Sequence, residues 1–324
     1  MKSGTLLVSV ENWMFRQAGT ETWYPAEVPG HVHTDLMKNG LIPDPFIGTN
    51  ELDVQWVENE DWEYLSHFQI NRSQLQHDRI DLTFEGLDTY ADIVLNDSLI
   101  LQTDNMYIPW SVDVKKYLRV GENVLQVYFH SPVLKGQEKL NSHPHLIPAS
   151  NESKPVGHQT SVFTRKAQYH YGWDWGPRLV TSGIWRPVTL QSWSGARIND
   201  IYCHLDSLSK YSADYSIKLS VESVNEIDAE LTIRMADKTT SHRAYLKQGD
   251  NNLIINRSIK NPILWWPNGS GKQKMYDVEI ILSQSNRILD RENEKIGVRK
   301  IDVIQNRFVI QVVKTNLAYL DPFK

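Results

Sequence analysis

The residues best suited to chemistry crowd into one run, Tyr169-His170-Tyr171-Gly172-Trp173-Asp174-Trp175-Gly176-Pro177-Arg178. Trp173 and Trp175 flank Asp174, and Gly172 and Gly176-Pro177 bracket the three; glycine and proline so placed force a turn. Such a turn can aim a carboxylate outward between two rigid rings. A carboxylate accepts two hydroxyl hydrogen bonds well, and a sugar diol supplies them. Arg165 and Arg178, near the two ends of the run, can orient that carboxylate or touch a ligand. The same residue types also suit an architectural corner in which a buried Asp174 pairs with arginine, and the residues alone leave both readings open.

Other constellations are weaker. His143-Pro144-His145, with His158 and His170, has no matched carboxylate, so solvated loop histidines are expected and no metal site. Cys203 lies beside Tyr202 in a strand-like segment with no base in view, which fits a buried, inert thiol. As the one cysteine, it also excludes an intrachain disulfide and a Cys-rich metal site. Arg257, Lys260 and their charged neighbours read as a solvated face. No cofactor is expected. Eleven tryptophans, fourteen tyrosines and eight phenylalanines stand in the chain, many in polar, turn-rich company. Core and loop anchoring accounts for such aromatics more readily than a carbohydrate platform does, as far as composition goes. The N-x-Ser sequons at Asn71, Asn96, Asn151, Asn256 and Asn268 matter only in a secreted eukaryotic protein.

The elements that must position these residues are strands. Arg79 to Phe84 alternates polar and apolar residues, as does Asn123 to His130. Ala91 to Leu95 and Ser98 to Leu101 flank Asn96-Asp97 as a hairpin flanks its turn, and Ile184 to Trp193 is a further strand. Helical periodicity is scarce; a short helix is expected over His33 to Asn39, with Thr34 as cap and Gly40 ending it. Ser131 to His158, rich in Pro, His and Ser, reads as a long loop. The pattern changes at Ser192 to Ala196. Six strands are expected beyond it, over Ile198–Leu205, Tyr215–Val221, Ala229–Met235, Leu253–Ile259, Met275–Leu282 and Lys295–Val303, the size of an immunoglobulin-like sandwich. A chain of 324 residues with 40% hydrophobic and 23% charged residues fits two such all-β domains. A net charge of −5 excludes a nucleic-acid binder built on a basic face. No window reaches the ~18–20 apolar residues of a membrane span. The first ten residues lack signal-peptide features, so the protein is cytoplasmic, or periplasmic or secreted if an export signal was removed.

A family resemblance rests on many motifs in order. Ser182-Gly183-Ile184-Trp185-Arg186-Pro187-Val188 resembles the strand that closes the N-terminal sugar-binding domain of family 2 glycoside hydrolases. The run from Tyr169 to Pro177 resembles the β-mannosidase version of that domain. Trp13 and Val28-Pro29-Gly30-His31-Val32-His33 are similar to the family's entry segment. Ile42-Pro43-Asp44-Pro45-Phe46 and Asn59-Glu60-Asp61-Trp62-Glu63-Tyr64 are similar to the family's next segments along the chain. Phe84-Glu85-Gly86-Leu87-Asp88-Thr89-Tyr90-Ala91 and Val94-Leu95-Asn96 resemble its core hairpin. Leu264-Trp265-Trp266-Pro267-Asn268-Gly269 and Ile296-Gly297-Val298-Arg299-Lys300-Ile301 resemble the second domain's turn and exit strand.

The resemblance implies a jelly-roll, galactose-binding-like β-sandwich over residues 1–194 and an immunoglobulin-like β-sandwich over 195–303. It implies a retaining glycosidase whose two glutamates, ~5–5.5 Å apart, stand on a (β/α)8 barrel. Asp174 would bond mannose hydroxyls, Trp173 and Trp175 would wall the pocket, Arg165 would support it, and Tyr169 and His170 would complete the substrate-binding set. The partner would be a β-mannoside or mannooligosaccharide, held together with the barrel. A barrel needs ~200–250 residues and about twenty come after Val303, so 304–324 is expected to be a truncated or aberrant start of that barrel and the chain inactive alone. Glu63 and Glu85 belong to sandwich segments and form no catalytic pair. The face carrying Trp173 and Trp175 would then favour self-association. A free-standing carbohydrate-binding module predicts mannoside affinity without a barrel; a non-catalytic interaction protein predicts no sugar binding and a defined protein partner.

Overall fold

Alternation of side chains along extended segments builds almost all of the structure. In β12 of the second unit (Ser212–Ser223), Ala213, Tyr215, Ile217, Leu219 and Val221 are buried, while Lys218 between them is exposed. Residues two apart on a strand share one face, and each fully buried aliphatic side chain contributes roughly 1.5–3 kcal/mol. The computed structural model describes residues 6–155, 157–304, 307–310 and 318–319. They divide into two units, Leu6–Ser192 and the described residues from Trp193 onward.

The first unit is a sandwich of two sheets. Its strands are β1 (Leu6–Ser9), β2 (Trp13–Gln17), β3 (Tyr24–Pro25), β4 (Trp62–Ile70), β5 (Arg79–Phe84), β6 (Tyr90–Leu95), β7 (Ser98–Asp104), β8 (Trp110–Asp113), β9 (Gly121–Phe129) and β10 (Val188–Trp193). One sheet has the order β1-β10-β5-β8 and the other β3-β2-β4-β9-β6-β7. Phe15, Tyr64, Ile80, Leu82, Phe84, Ile93, Val127, Phe129 and Leu190 fill the core between them. The β6–β7 hairpin turns on Asn96 and Asp97, both at positive φ, as a two-residue primed turn demands. Four helices decorate the sandwich: α1 (Val32–Lys38), α2 (Asn50–Asp53), α3 (Arg72–Leu75) and α4 (Pro132–Ser142).

The second unit holds β11 (Ala196–Leu208), β12, β13 (Ile227–Met235), β14 (Lys238–Leu246), β15 (Gly249–Lys260), β16 (Met275–Gln284) and β17 (Arg287–Gly297). Sheets β11-β12-β15 and β14-β13-β16-β17 share a core that includes Ile198, Ile217, Leu231, Ile233, Val278, Ile280 and Val298.

Several expectations need correction. The cap of α1 is His31; Thr34 is its N3 residue and donates its hydroxyl back to the His31 carbonyl at 2.7 Å. The stretch from Ser131 is not all loop, because α4 occupies its first third. Ser131 caps that helix by accepting from Leu134 N at 3.1 Å, and Pro132 starts it. Few of its residues are buried, Pro132 and Gly136 among them, so no apolar stripe announces it. Strand β14 escapes notice because it is a sheet edge whose one fully buried side chain is Leu246. Within the expected barrel start, Arg307–Ile310 forms a strand that pairs antiparallel with Ile301–Ile304; most of 304–324 lies outside the described residues. Cys203 is half-buried, and burial pushes its thiol up to about 11.

Candidate functional site

The run from Tyr169 to Leu179 folds into a small two-limbed turn at the surface of the first unit. A short 3-10 helix, Gln168–Tyr171, leads into it and ends at Gly172. Trp173 and Gly176 then pair, Trp173 N donating to Gly176 O at 3.2 Å, and Leu179 N donates to His170 O at 2.9 Å lower down. Asp174 and Trp175 are therefore the two tip residues. Gly172 must be glycine on two counts: its φ is +96°, and a Cβ there would stand 2.2 Å from Ser153 Oγ.

The tip is open. Asp174 is exposed and makes no hydrogen bond or ion pair among the described residues. Trp175 is 72% exposed and Trp173 half-buried. Tyr169 is exposed, its ring 6.2 Å from that of Trp175, so the two form one aromatic ledge. Trp173, Asp174 and Trp175 line a cleft of about 630 Å³ with Leu52, Ser153 and Lys154. Size does not single this cleft out; another of about 660 Å³ lies by Glu11 and Glu27. What distinguishes the first is an unpaired carboxylate between indoles, a surface that can stack on sugar C–H faces and accept from hydroxyls.

One of the two arginines is not directed as the residues allowed. Arg178 does not orient the Asp174 carboxylate. It is buried, donating from Nε to Glu58 Oε2 at 2.8 Å and from Nη1 both to Glu152 Oε1 at 3.1 Å and to the Tyr171 carbonyl at 3.1 Å. Arg165 is exposed and forms no ion pair with Asp174; its carbonyl accepts from Met106 N at 3.0 Å, so its visible tie is through the backbone. The reading of Asp174 as a buried, arginine-paired corner fails for the same reason: the buried carboxylates on Arg178 are Glu58 and Glu152.

His170 is also placed differently from its neighbours. It turns away from the tip into a polar cluster where several sequence motifs converge. Lys166, wholly buried, pairs with Asp88 and donates to the Thr181 carbonyl at 2.7 Å. Thr89 donates to the other Asp88 oxygen, and Asp88 and Gly183 exchange backbone hydrogen bonds of 2.9 and 3.0 Å. His170 Nδ1 stands 3.7 Å from Asp88 Oδ2, too long for a hydrogen bond. The glycine of the Ser182-Gly183 pair allows this junction, since a Cβ at Gly183 would lie 2.6 Å from His31 Cα. Burial holds His170 down to about 4 and His33 to about 3, with the Lys166 charge adding to both, and burial lowers His31 as well. These imidazoles are neutral near pH 7. Burial also lowers the Lys166 ammonium, and Asp88 offsets part of that. Among the described residues no group of His, Cys, Asp and Glu is arranged to hold a metal.

Sequence reasoning missed Glu58, Glu152, Lys154 and Asp88 as parts of this region. Arg178 and Glu58 are 120 residues apart, and Lys166 and Asp88 are 78 apart; no local spacing connects them. Arg178 ends the aromatic run and Lys166 lies just before it, which was the available signal.

A β-sandwich that displays an exposed carboxylate beside indoles, followed by a second sandwich, defines an all-β pair of domains as the class. Residues 13–186 match the glycosyl hydrolase 2 galactose-binding domain-like family, and residues 196–299 match glycosyl hydrolases family 2. The chain belongs to glycosyl hydrolase family 2. It is 36% identical over 305 residues to beta-mannosidase B of Aspergillus niger, covering 90% of this chain and 35% of that protein. It is 36% identical over 301 residues to beta-mannosidase B of Thermothelomyces thermophilus, covering 91% and 34%. Among solved structures, the beta-D-mannosidase of Dictyoglomus thermophilum matches with a TM-score of 0.88 and 39% identity over 94% of this chain and 38% of that one. The exo-chitosanase of Amycolatopsis orientalis, at 20% identity and a TM-score of 0.73, shares the fold. The chain thus spans about a third of the length of the curated relatives it matches.

Proposed function

We propose that these 324 residues form the accessory, sugar-facing part of a β-mannosidase, a retaining hydrolase that removes terminal non-reducing β-D-mannose from oligosaccharides. The observation that carries the proposal is the unpaired, exposed Asp174 at the tip of a hydrogen-bonded turn, between Trp173 and Trp175. Asp174 accepts hydrogen bonds from mannose hydroxyls. The two indoles wall the sugar, and Tyr169 extends the ledge. Arg165, which is exposed, supports the pocket from outside, while His170 acts through the fold beneath. The hydrolytic glutamate pair is not in the two sandwiches, so these residues alone bind weakly and do not hydrolyse. Their domain limits are 1–194 and 195–303.

The test is a titration of the chain with methyl β-D-mannoside, monitored by amide and indole NMR signals. Millimolar-range shifts confined to residues 169–178 and their cleft neighbours are expected, with none in Asp174→Asn and no release of mannose from mannobiose. Micromolar affinity would instead mark a self-sufficient carbohydrate-binding module, and no shift at any concentration would remove the sugar role. The exposed Leu52 and Trp175 lie on one face with Trp173, lining the same cleft. The isolated chain therefore self-associates through its exposed apolar surface; a strictly monomeric sedimentation profile at high concentration would contradict this.

A further inference from the structure

The run from Tyr169 to Arg178 ends in a cation that borders the cleft but is turned to buried carboxylates and not to Asp174. Arg178 sits at the foot of the descending limb of the turn and its side chain is 5% exposed. Its guanidinium contacts three separate pieces of chain. Nε holds Glu58, from the 3-10 helix Gln55–Asn59. Nη1 holds Glu152 and also the carbonyl of Tyr171, which lies on the ascending limb. One planar fork therefore clips the two limbs together and ties both to their surroundings. The anchors are themselves fixed. Glu152 Oε2 accepts from Ser161 N at 2.9 Å, and the Glu58 carbonyl accepts from Ser131 Oγ, the cap of α4, at 2.6 Å. Gln55 completes the hold on the descending limb by donating to the Arg178 carbonyl at 2.7 Å.

We infer that Arg178 is a positioning residue for Asp174: its guanidinium, braced by Glu58 and Glu152, locks the two limbs of the turn so that the tip carboxylate is presented in one orientation. This rests on the reading of Asp174 as the sugar-contacting group. Charge alone does not do it. A lysine at 178 retains the positive charge but lacks the fixed fork that spans Glu58, Glu152 and the Tyr171 carbonyl together. A carboxylate displaced by about 1 Å loses much of the advantage of a prearranged site.

The test compares Arg178→Lys with Val127→Ala, a core change in β9 that lowers stability without touching the turn. Amide hydrogen exchange is read at Trp173 and Leu179, whose N–H groups bond across the turn, and methyl β-D-mannoside affinity is measured on the same samples. Arg178→Lys is expected to raise exchange at those two amides at least tenfold over the level in Val127→Ala, and to weaken mannoside binding at least fivefold. Val127→Ala is expected to leave affinity within twofold of the parent chain. If lysine restores both turn protection and affinity, the pairing is structural and the inference is overturned. Turn protection lost with affinity unchanged overturns it too. Should Arg178→Lys fail to fold, Glu152→Gln carries the same comparison, because the amide oxygen still accepts from Ser161 while the grip on Nη1 weakens. A parent chain that shows no mannoside response defeats the sugar reading and leaves the exchange comparison to decide the role of Arg178 in the turn.

Discussion

Two tryptophan-rich turns, one in each unit, use the same residue types to opposite ends. At Trp173-Asp174-Trp175 the Trp175 indole is displayed beside a half-buried Trp173, and a Cβ on Gly176 would meet nothing within 4 Å. At Trp265-Trp266-Pro267 the indoles are struts. Trp265 N donates to Val298 O at 3.0 Å, a Cβ on Gly297 would lie 2.9 Å from the Trp265 ring, and one on Gly271 would lie 2.8 Å from Trp266. Arg299 covers Trp266 with its guanidinium carbon 3.9 Å from the ring centroid. What differs is where the cation goes. In the second unit arginine lies on the face of Trp266; in the first, Arg178 and Lys166 are drawn below by buried carboxylates, and Trp175 stays exposed.

That contrast can be broken most forcefully from beneath the first turn. Lys166→Met leaves Asp88 buried without its cation and is expected to cost about 3–5 kcal/mol of unfolding free energy in urea denaturation. A loss below about 1 kcal/mol would show that the pair is not what seats the segment. The glycines sharpen the comparison next. Gly297→Ala is expected to destabilise the second unit by about 1–3 kcal/mol through overpacking against Trp265, whereas Gly176→Ala is expected to stay within about 0.5 kcal/mol. Equal effects would erase the distinction between strut and display.

The legibility of the two regions differs for the same reason. Strand alternation and the Asn96-Asp97 hairpin are local signals, so the sandwiches are readable from sequence. The bracketing of Asp174 by Gly172 and Gly176-Pro177 is local as well, and the turn itself is legible from it. The support beneath the turn is not. Glu58, Asp88 and Glu152 reach their cations across the fold, and nothing near Arg178 in the sequence shows that it points down to them and not across to Asp174. Helix α4 escapes because its Ser131-Pro132 start is a short signal with no apolar stripe behind it, and β14 because an exposed edge strand carries little apolar alternation.

The histidines under the first turn give a smaller, pH-dependent effect. His170 and His33 have native values of about 4 and about 3, below the ordinary 6.5. The unfolded chain therefore takes up protons first as pH falls. The stability tied to these two groups is full above about pH 6.5 and declines as pH drops toward 4 and then 3. Asp35 opposes this, because burial raises it to about 6 despite bonds from Glu27 N and Tyr64; the stability it adds is lost as pH rises through that value. Denaturation series at about pH 7, 5.5 and 4.5 are expected to show falling stability, with a shallower slope in His170→Gln; an unchanged slope in that variant would detach His170 from the effect. The smallest change in stability is expected for Trp175→Ala, within about 0.5 kcal/mol for so exposed a side chain, together with loss of the mannoside response. A large loss of stability there would mean that the ring supports the turn as Trp266 supports its own.

Diffraction from crystals of the chain soaked in concentrated methyl β-D-mannoside tests the central claim most directly. The account predicts sugar density in the cleft between Trp173 and Trp175, with two hydroxyls within hydrogen-bond reach of the Asp174 carboxylate. Density that settles elsewhere, or a cleft holding sugar whose hydroxyls turn away from Asp174, would contradict it.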